Sequence, residues 1–251
     1  MSEAPEPNDD SEKNSDALDI ADSQEPKQDE ELKAVQKNLN FSFVAMDEDI
    51  LICGSKGSGK SYLANTLLQS LHGITFFCWD YNSQFHDSRS MVFHHLDEMI
   101  EVWRTAKRGK YILQDYDLSE ENFKRFCKFV FNTGNCVCII DEAHSYLTKM
   151  KILKEFNDII LSGRPRGISC VSISTRPASL PNNCLTNAKH VFTFRLNLES
   201  DVKFLEGWMG SEVWQVVQKN KRMKHQELDE VPEHSFYYRN MDESEGYIGK
   251  I

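Results

Sequence analysis

Along most of this chain, short apolar runs rich in β-branched and aromatic residues alternate with longer stretches whose apolar positions recur every three or four residues. The runs at 50–53, 74–79, 111–113, 137–140, 168–173 and 191–196 are continuous rather than alternating, as strands buried on both faces require. Between them, Leu63, Leu67 and Leu71 step by four, and Gly73 is placed to stop a helix. Ser119 is a helix cap, with Glu120 and Glu121 in the first turn and Phe123, Phe126, Cys127 and Val130 on one face. Tyr146, Met150, Leu153, Phe156 and Ile160 predict a further helix. Near the end, 213–217 reads as helical, and 236–238 with 247–248 as a terminal strand pair. Strands separated by helix-length segments pair in parallel, because a parallel neighbour needs a crossover. The expected fold is a three-layer α/β sandwich around a mostly parallel sheet.

The beginning of the chain breaks this pattern. Residues 1–33 carry twelve acidic side chains against three lysines and no aromatic residue, so −9 of the formal charge of −10 lies there. Such a segment cannot bury enough apolar surface to offset chain entropy. Residues 1–35 are therefore expected to be an acidic disordered tail, and 36–251 the folded domain. The tail is either a solubilising extension or a dock for a basic partner. The near-neutral body argues against nucleic-acid binding by bulk charge, so any DNA contact must come from local basic loops. Seven cysteines (53, 78, 127, 136, 138, 170, 184) form no C-x-x-C pair and sit in apolar runs, which fits buried free thiols in a reducing compartment. No apolar run approaches the roughly 18 residues of a membrane span, and the acidic start does not resemble a signal peptide.

One loop carries the chemistry. Gly54, Ser55, Lys56, Gly57, Ser58, Gly59, Lys60 and Ser61 fit G-x-x-x-x-G-K-[ST] at every fixed position, with a strand before and an amphipathic helix after. The glycines let successive N–H groups turn inward around phosphates, and the helix start adds its positive end. With Tyr62, these residues are the candidate ATP contacts. Lys60 is assigned to the β and γ phosphates, and the Ser61 hydroxyl to Mg²⁺.

A second signal ends the run at 137–140, where Asp141 and Glu142 follow an apolar strand. Ligands of a parallel sheet bind at the carboxyl ends of its strands, so these acids should face the loop. Asp141 suits the Mg²⁺ shell, and Glu142 a general base for the attacking water. Two acids there favour ATP hydrolysis over GTP switching. No guanine-reading N-K-x-D occurs; the stretch from Asn187 to His190 is only a superficial match. Asp141 to His144 also spells a helicase box, but a single P-loop in some 215 residues cannot supply two RecA-like domains.

These motifs, with Asp80 closing the second strand, Arg164, Pro165, Arg166 and Gly167 before the fifth predicted run, and Thr175, Arg176 and Pro177 after it, resemble the FtsK–HerA superfamily of DNA-pumping ATPases, especially the short packaging ATPases of double-stranded-DNA viruses. The likeness covers roughly residues 46–205. It implies an ASCE-type, RecA-like domain, a ring (a homo-hexamer), MgATP hydrolysis between subunits, and double-stranded DNA as the load. Packaging of a viral genome is the setting it favours, with capsid or portal proteins as partners of the acidic tail, in the host cytoplasm or the virion. A HerA-like ATPase of DNA processing, transfer or defence, and an ATP-switched scaffold without motor activity, are the alternatives. In the family an arginine before the sensor strand reaches the neighbour's ATP; Arg166 or Arg164 matches it. The sensor is usually Gln, whereas Thr175 stands here, with Arg176 beside it. Arg104, Lys107, Arg108 and Lys110 form one basic cluster and Lys219, Lys221, Arg222 and Lys224 another, each a DNA-contact candidate or a solvated helix end. In a six-membered ring one or two phosphate contacts per subunit would total about ten, enough for a steep salt dependence. Trp79 and Tyr81 are candidates for stacking on adenine or for the core.

Overall fold

The structure, a computed structural model, describes residues 48–70, 72–86, 88–217, 234–243 and 246–251. The acidic tail and the basic cluster at 219–224 lie outside the described residues. Nine strands form one sheet in the order β3-β4-β2-β5-β6-β1-β7-β8-β9. They are β1 (Asp49–Cys53), β2 (Thr75–Trp79), β3 (Ser90–Phe93), β4 (Lys110–Leu113), β5 (Cys136–Ile140), β6 (Ile168–Ser174), β7 (Ala188–Phe194), β8 (Ser235–Asn240) and β9 (Gly246–Lys250). All neighbours from β3 to β7 pair in parallel, and β8 and β9 are added antiparallel. This is the three-layer α/β sandwich around a mostly parallel sheet that the alternation of runs predicts.

The helices are α1 (Lys60–Ser70), α2 (Leu96–Ala106), α3 (Glu120–Thr133), α4 (Lys154–Ser162), α5 (Asn182–Thr186), α6 (Glu199–Met209) and α7 (Val213–Val217). Because strand side chains alternate, the sheet feeds two separate cores. Leu51, Phe77, Trp79, Tyr111, Cys138 and Ile140 face the layer built by α2 to α7. Ile50, Ile52, Phe76, Ile139, Ile173 and Phe192 face α1, which contributes Leu63, Ala64, Leu67 and Leu68. Among the described residues, one face thus carries six helices, while the other is covered chiefly by the helix that follows the phosphate loop.

Several expectations are met in detail. Ser119 caps α3 by accepting from the Asn122 N–H at 3.3 Å, with Glu120 and Glu121 in the first turn. All seven cysteines are buried free thiols, and burial pushes Cys136 up to about 12. Leu63 and Leu67 face the core, while Leu71 is outside the described residues.

Three expectations need correction. The helix proposed to begin near Tyr146 starts only at Lys154. The segment before it is a 3-10 turn at Ala143–Ser145 followed by a bridge between Thr148 and Lys151, and Met150 is 98% exposed. The four-residue spacing there matched a helix by coincidence, because Tyr146 and Leu147 reach the core from the turn instead. Trp79 is fully buried, its ring between Phe123, Phe126 and Tyr146, so it cannot stack on a nucleotide. Lys110 is buried with its ammonium on the Leu68 carbonyl, which removes it from the first basic cluster as a DNA contact. The strand β3 is not signalled by the sequence: four residues beginning with Ser are too short and too polar to register.

Candidate nucleotide site

β1 is central, between β6 and β7, and its carboxyl end releases the loop. The loop is seated by its neighbours: Gly54 N–H donates to the Ser174 carbonyl at 3.2 Å, and Ser55 N–H to the Arg195 carbonyl at 2.7 Å. No side chain fits at Gly54, where a Cβ would stand 2.5 Å from Ser58 Oγ and 2.6 Å from Phe194 Cβ. Gly57 turns the chain at φ 74°, a left-handed value that glycine adopts freely. Lys60 begins α1 and curls back, its Nζ donating to the Ser55 carbonyl at 2.9 Å. Burial pushes the Lys60 ammonium below its ordinary range, against the opposing influence of Glu142 and Asp141. The hydroxyls of Ser55 and Ser58 are buried without a partner. A cradle of inward groups, a desolvated cation and two orphaned hydroxyls together fit a polyphosphate.

The acids arrive on β5, two strands from β1. Asp141 follows its last residue and is almost fully buried. Burial, and then the neighbouring Glu142 carboxylate, pushes Asp141 up to about 6. Glu142 has φ 47° and ψ 45°, a left-handed conformation that costs a side-chain-bearing residue roughly 1–2 kcal/mol. Backbone strain of this kind collects at functional sites. The Glu142 carboxylate is held from the next strand: it accepts from Thr175 Oγ1 at 3.2 Å and lies 3.2 Å from His144 Nδ1. His144 in turn contacts Ser174 Oγ at 3.3 Å and Thr175 Oγ1 at 3.4 Å, and burial holds its imidazole below the ordinary histidine range. Thr175, at the position expected for the sensor, therefore contacts the proposed base directly. Arg176 is turned elsewhere, its Nε donating to buried Asp201 at 3.1 Å.

The loop after β2 supplies residues that sequence reasoning missed. Asp80 is buried and organises that loop, accepting from the N–H groups of Gln84 (3.0 Å) and Phe85 (2.9 Å) and from Gln114 Nε2 (2.8 Å). The result places Asn82 Nδ2 3.0 Å from Asp141 Oδ2 and Gln84 Oε1 2.6 Å from Ser61 Oγ. The two candidate magnesium ligands are thus bridged by one short loop. Its sequence signal was the carboxylate at a strand end followed by Asn, Ser and Gln, a turn-forming set. Serine hydroxyl, carboxylate and amide oxygen are the hard donors that Mg²⁺ takes, and that ion is commonly held by few protein ligands plus substrate phosphates. Tyr62 lies on the first turn of α1 and is 65% exposed.

The arginines lie elsewhere. Arg164 and Arg166 form a 3-10 turn before β6, at the amino edge of the sheet, whereas the loop and acids are at the carboxyl edge. Seven residues of β6 separate the two, about 20 Å at strand rise. Arg166 is engaged there: Nε donates to the Phe131 carbonyl at 2.7 Å, an NH2 to the Asn132 carbonyl at 3.2 Å, and the guanidinium lies over the Phe131 ring. These carbonyls are in the last turn of α3, where a cation is favoured. The cluster of Arg104, Lys107 and Arg108, at the end of α2, reaches the same edge, with Lys107 over the Trp103 ring at 4.3 Å. His94 stacks on Tyr116 at 4.7 Å, and no group of three metal-binding side chains occurs among the described residues.

A central parallel sheet, a phosphate-cradling loop after β1 and a carboxylate pair after β5 define a P-loop NTPase domain. The family model described as an AAA domain matches residues 48–173, half of the chain, and the chain belongs to that family. Among solved structures, it is similar to the genome packaging NTPase B204 from Sulfolobus turreted icosahedral virus 2 in complex with ATP-gammaS, with 19% identity and a TM-score of 0.63 over 82% of this chain and 98% of that one. It is likewise similar to B204, the DNA-packaging ATPase from Sulfolobus Turreted Icosahedral Virus, at 19% identity and a TM-score of 0.61 over 81% and 97% of the two chains. At these identities the likeness is one of fold, and it agrees with the FtsK–HerA-type resemblance of the motifs. No curated protein matches the sequence. Among the described residues, no helix is long and apolar enough to cross a membrane.

Proposed function

We propose that this chain is an ATP-driven translocase of double-stranded DNA that packages a viral genome, hydrolysing MgATP between the subunits of a homo-hexameric ring. One arrangement carries the reading: Lys60 and Ser61, Asp141 and Glu142, and Thr175 converge at one edge of the sheet, while Arg164 and Arg166 lie a strand length away at the other. An arginine there cannot reach its own nucleotide. Head-to-tail packing of subunits would bring it to a neighbour's, and such contacts close into rings. The domain matches nearly the whole length of the viral packaging NTPases, which supports the packaging reading.

In the reaction, Lys60 binds and orients the terminal phosphates, and the loop N–H groups hold the rest. Glu142 takes the proton of the attacking water, with Thr175 and His144 fixing its carboxylate until the water is in place. Ser61 and Asp141 would hold Mg²⁺, steadied by Gln84 and Asn82, and the ion would supply charge neutralisation on the phosphate oxygens. Arg164 or Arg166 of a neighbouring copy would place its guanidinium over the transferred phosphoryl group. Of the two, Arg166 is also a staple on α3, so its removal should cost folding stability as well as turnover.

The test is ATP turnover with and without long duplex DNA. DNA should stimulate the wild type, and the variant of whichever arginine acts in trans should be slow. Mixing that variant with Lys60→Ala should restore part of the rate, because a mixed ring holds sites with an intact loop facing an intact arginine. No stimulation by DNA and no restoration on mixing would overturn the motor reading.

A further inference from the structure

The triphosphate half of the site has an obvious housing, but the nucleoside half does not. Direction can be read from the sheet. The acids and Thr175 follow β5 and β6, which lie to one side of β1; β7, β8 and β9 lie to the other. With its terminal phosphate facing Glu142 and its other phosphates along the loop, a nucleotide must extend its ribose and base over the carboxyl end of β7 and the hairpin beyond.

That end is built by three contacts. Phe194 closes β7 opposite Phe236 of β8, and Ser235 pairs with Lys250 of β9. Antiparallel pairing therefore returns the end of β9 to the same edge as the loop. The next residue, Ile251, is pinned there by its N–H, which donates to the His234 carbonyl at 3.3 Å. Its side chain lies directly against the loop: a Cβ on Gly59 would stand 2.8 Å from Ile251 Cδ1 and 3.1 Å from Phe194 Cε1. Gly59 has φ 111°, so the backbone there suits glycine alone and leaves the space to Ile251. Ile251 stays partly exposed.

We propose that Ile251, carried to Gly59 by the β8–β9 hairpin and set beside Phe194, forms the apolar wall on which the nucleoside of the bound nucleotide rests. The proposal rests on the nucleotide-binding reading above and adds to it the base-contacting surface. Aliphatic and aromatic groups read the face of a ring and not its hydrogen-bonding edge. The wall therefore favours a purine nucleoside over none at all, and separates adenine from guanine poorly. Replacing Ile251 with Ala removes three methyl or methylene carbons next to the ring, worth about tenfold in affinity.

Calorimetric titration of the full chain with a slowly hydrolysed ATP analogue, the matching GTP analogue and inorganic tripolyphosphate tests this. Ile251→Ala should weaken both nucleotides about tenfold, Ile251→Val less, and tripolyphosphate by less than twofold, which also shows the loop to be intact. Equal weakening of all three would make Ile251 a support of the loop only, and no weakening would remove it from the site; either overturns the proposal and leaves nucleotide binding standing. If the wild type takes up neither tripolyphosphate nor nucleotide, the phosphate-loop reading fails and the proposal fails with it.

Discussion

β1 starts at Asp49 and ends in the phosphate loop, and the carboxyl groups at the two edges of the sheet are raised for different reasons. At the carboxyl edge, Asp141 is pushed up to about 6 by burial and by Glu142 beside it. At the amino edge, Asp49 is pushed further, to about 7, by burial, opposed by the Cys170 N–H, which donates to it at 2.8 Å. Asp49 also lines a cleft of about 530 Å³ with Arg164, Lys189 and Trp208. The first acid stands among Lys60, Asn82 and a set of oxygen donors, so a bound cation can restore its charge. The second lines that cleft, away from the phosphate loop, and is stabilised by its proton. A raised carboxyl therefore does not by itself mark chemistry; what surrounds it decides.

Breaking the carboxyl edge should have the largest effect. Glu142→Gln keeps the shape and removes the proposed base, so turnover should fall by about 10²–10⁴-fold while nucleotide binding persists. A single-turnover assay beside a binding titration separates the two. If turnover stays near wild type, Glu142 is not the base. Thr175→Val keeps the volume and deletes the hydroxyl that reaches Glu142, so a loss of about tenfold is expected, on the scale of one hydrogen bond to a charged group. An unchanged rate would mean that Thr175 does not act on turnover through Glu142.

The amino edge should answer in stability. The Asp49 carboxyl binds its proton more tightly folded than unfolded, so its stabilising contribution is complete below about pH 4 and is lost as pH rises through about 7. Asp49→Asn should accordingly raise the unfolding temperature at pH 8.5, by on the order of 1–3 kcal/mol in stability, and the gain should vanish toward pH 4. A constant gain across that range would mean that Asp49 does not titrate as its burial implies. The smallest effect should come from Arg166→Lys, which keeps the charge at the end of α3 but loses the forked contact to Phe131 and Asn132. About 1 kcal/mol by chemical denaturation is expected.

Much of the carboxyl edge was legible before any coordinates. The loop from Gly54 to Ser61 and the pair at 141 and 142 are local in sequence and constrained by phosphate geometry, and the buried strands announce themselves as unbroken apolar runs. The segment before Lys154 was misread because a four-residue spacing is shared by a helix and by a turn whose alternate residues reach a core. Asn82 and Gln84 stayed hidden because their partners are 59 and 23 residues away. Arg166 was visible as a basic residue, but not as a staple on a helix 34 residues earlier.

The sequence alone determined the fold class, the strands at its centre and the chemical identity of the phosphate end, because each is written in runs or motifs a few residues long. Tertiary structure decided what meets across the sheet: that Thr175 holds Glu142, that the loop after Asp80 bridges Ser61 and Asp141, that the arginines sit a strand away from them, and that Ile251 comes to rest on Gly59. Those contacts depend on strand order and register, which follow from how whole elements pack and not from the neighbours of any one residue.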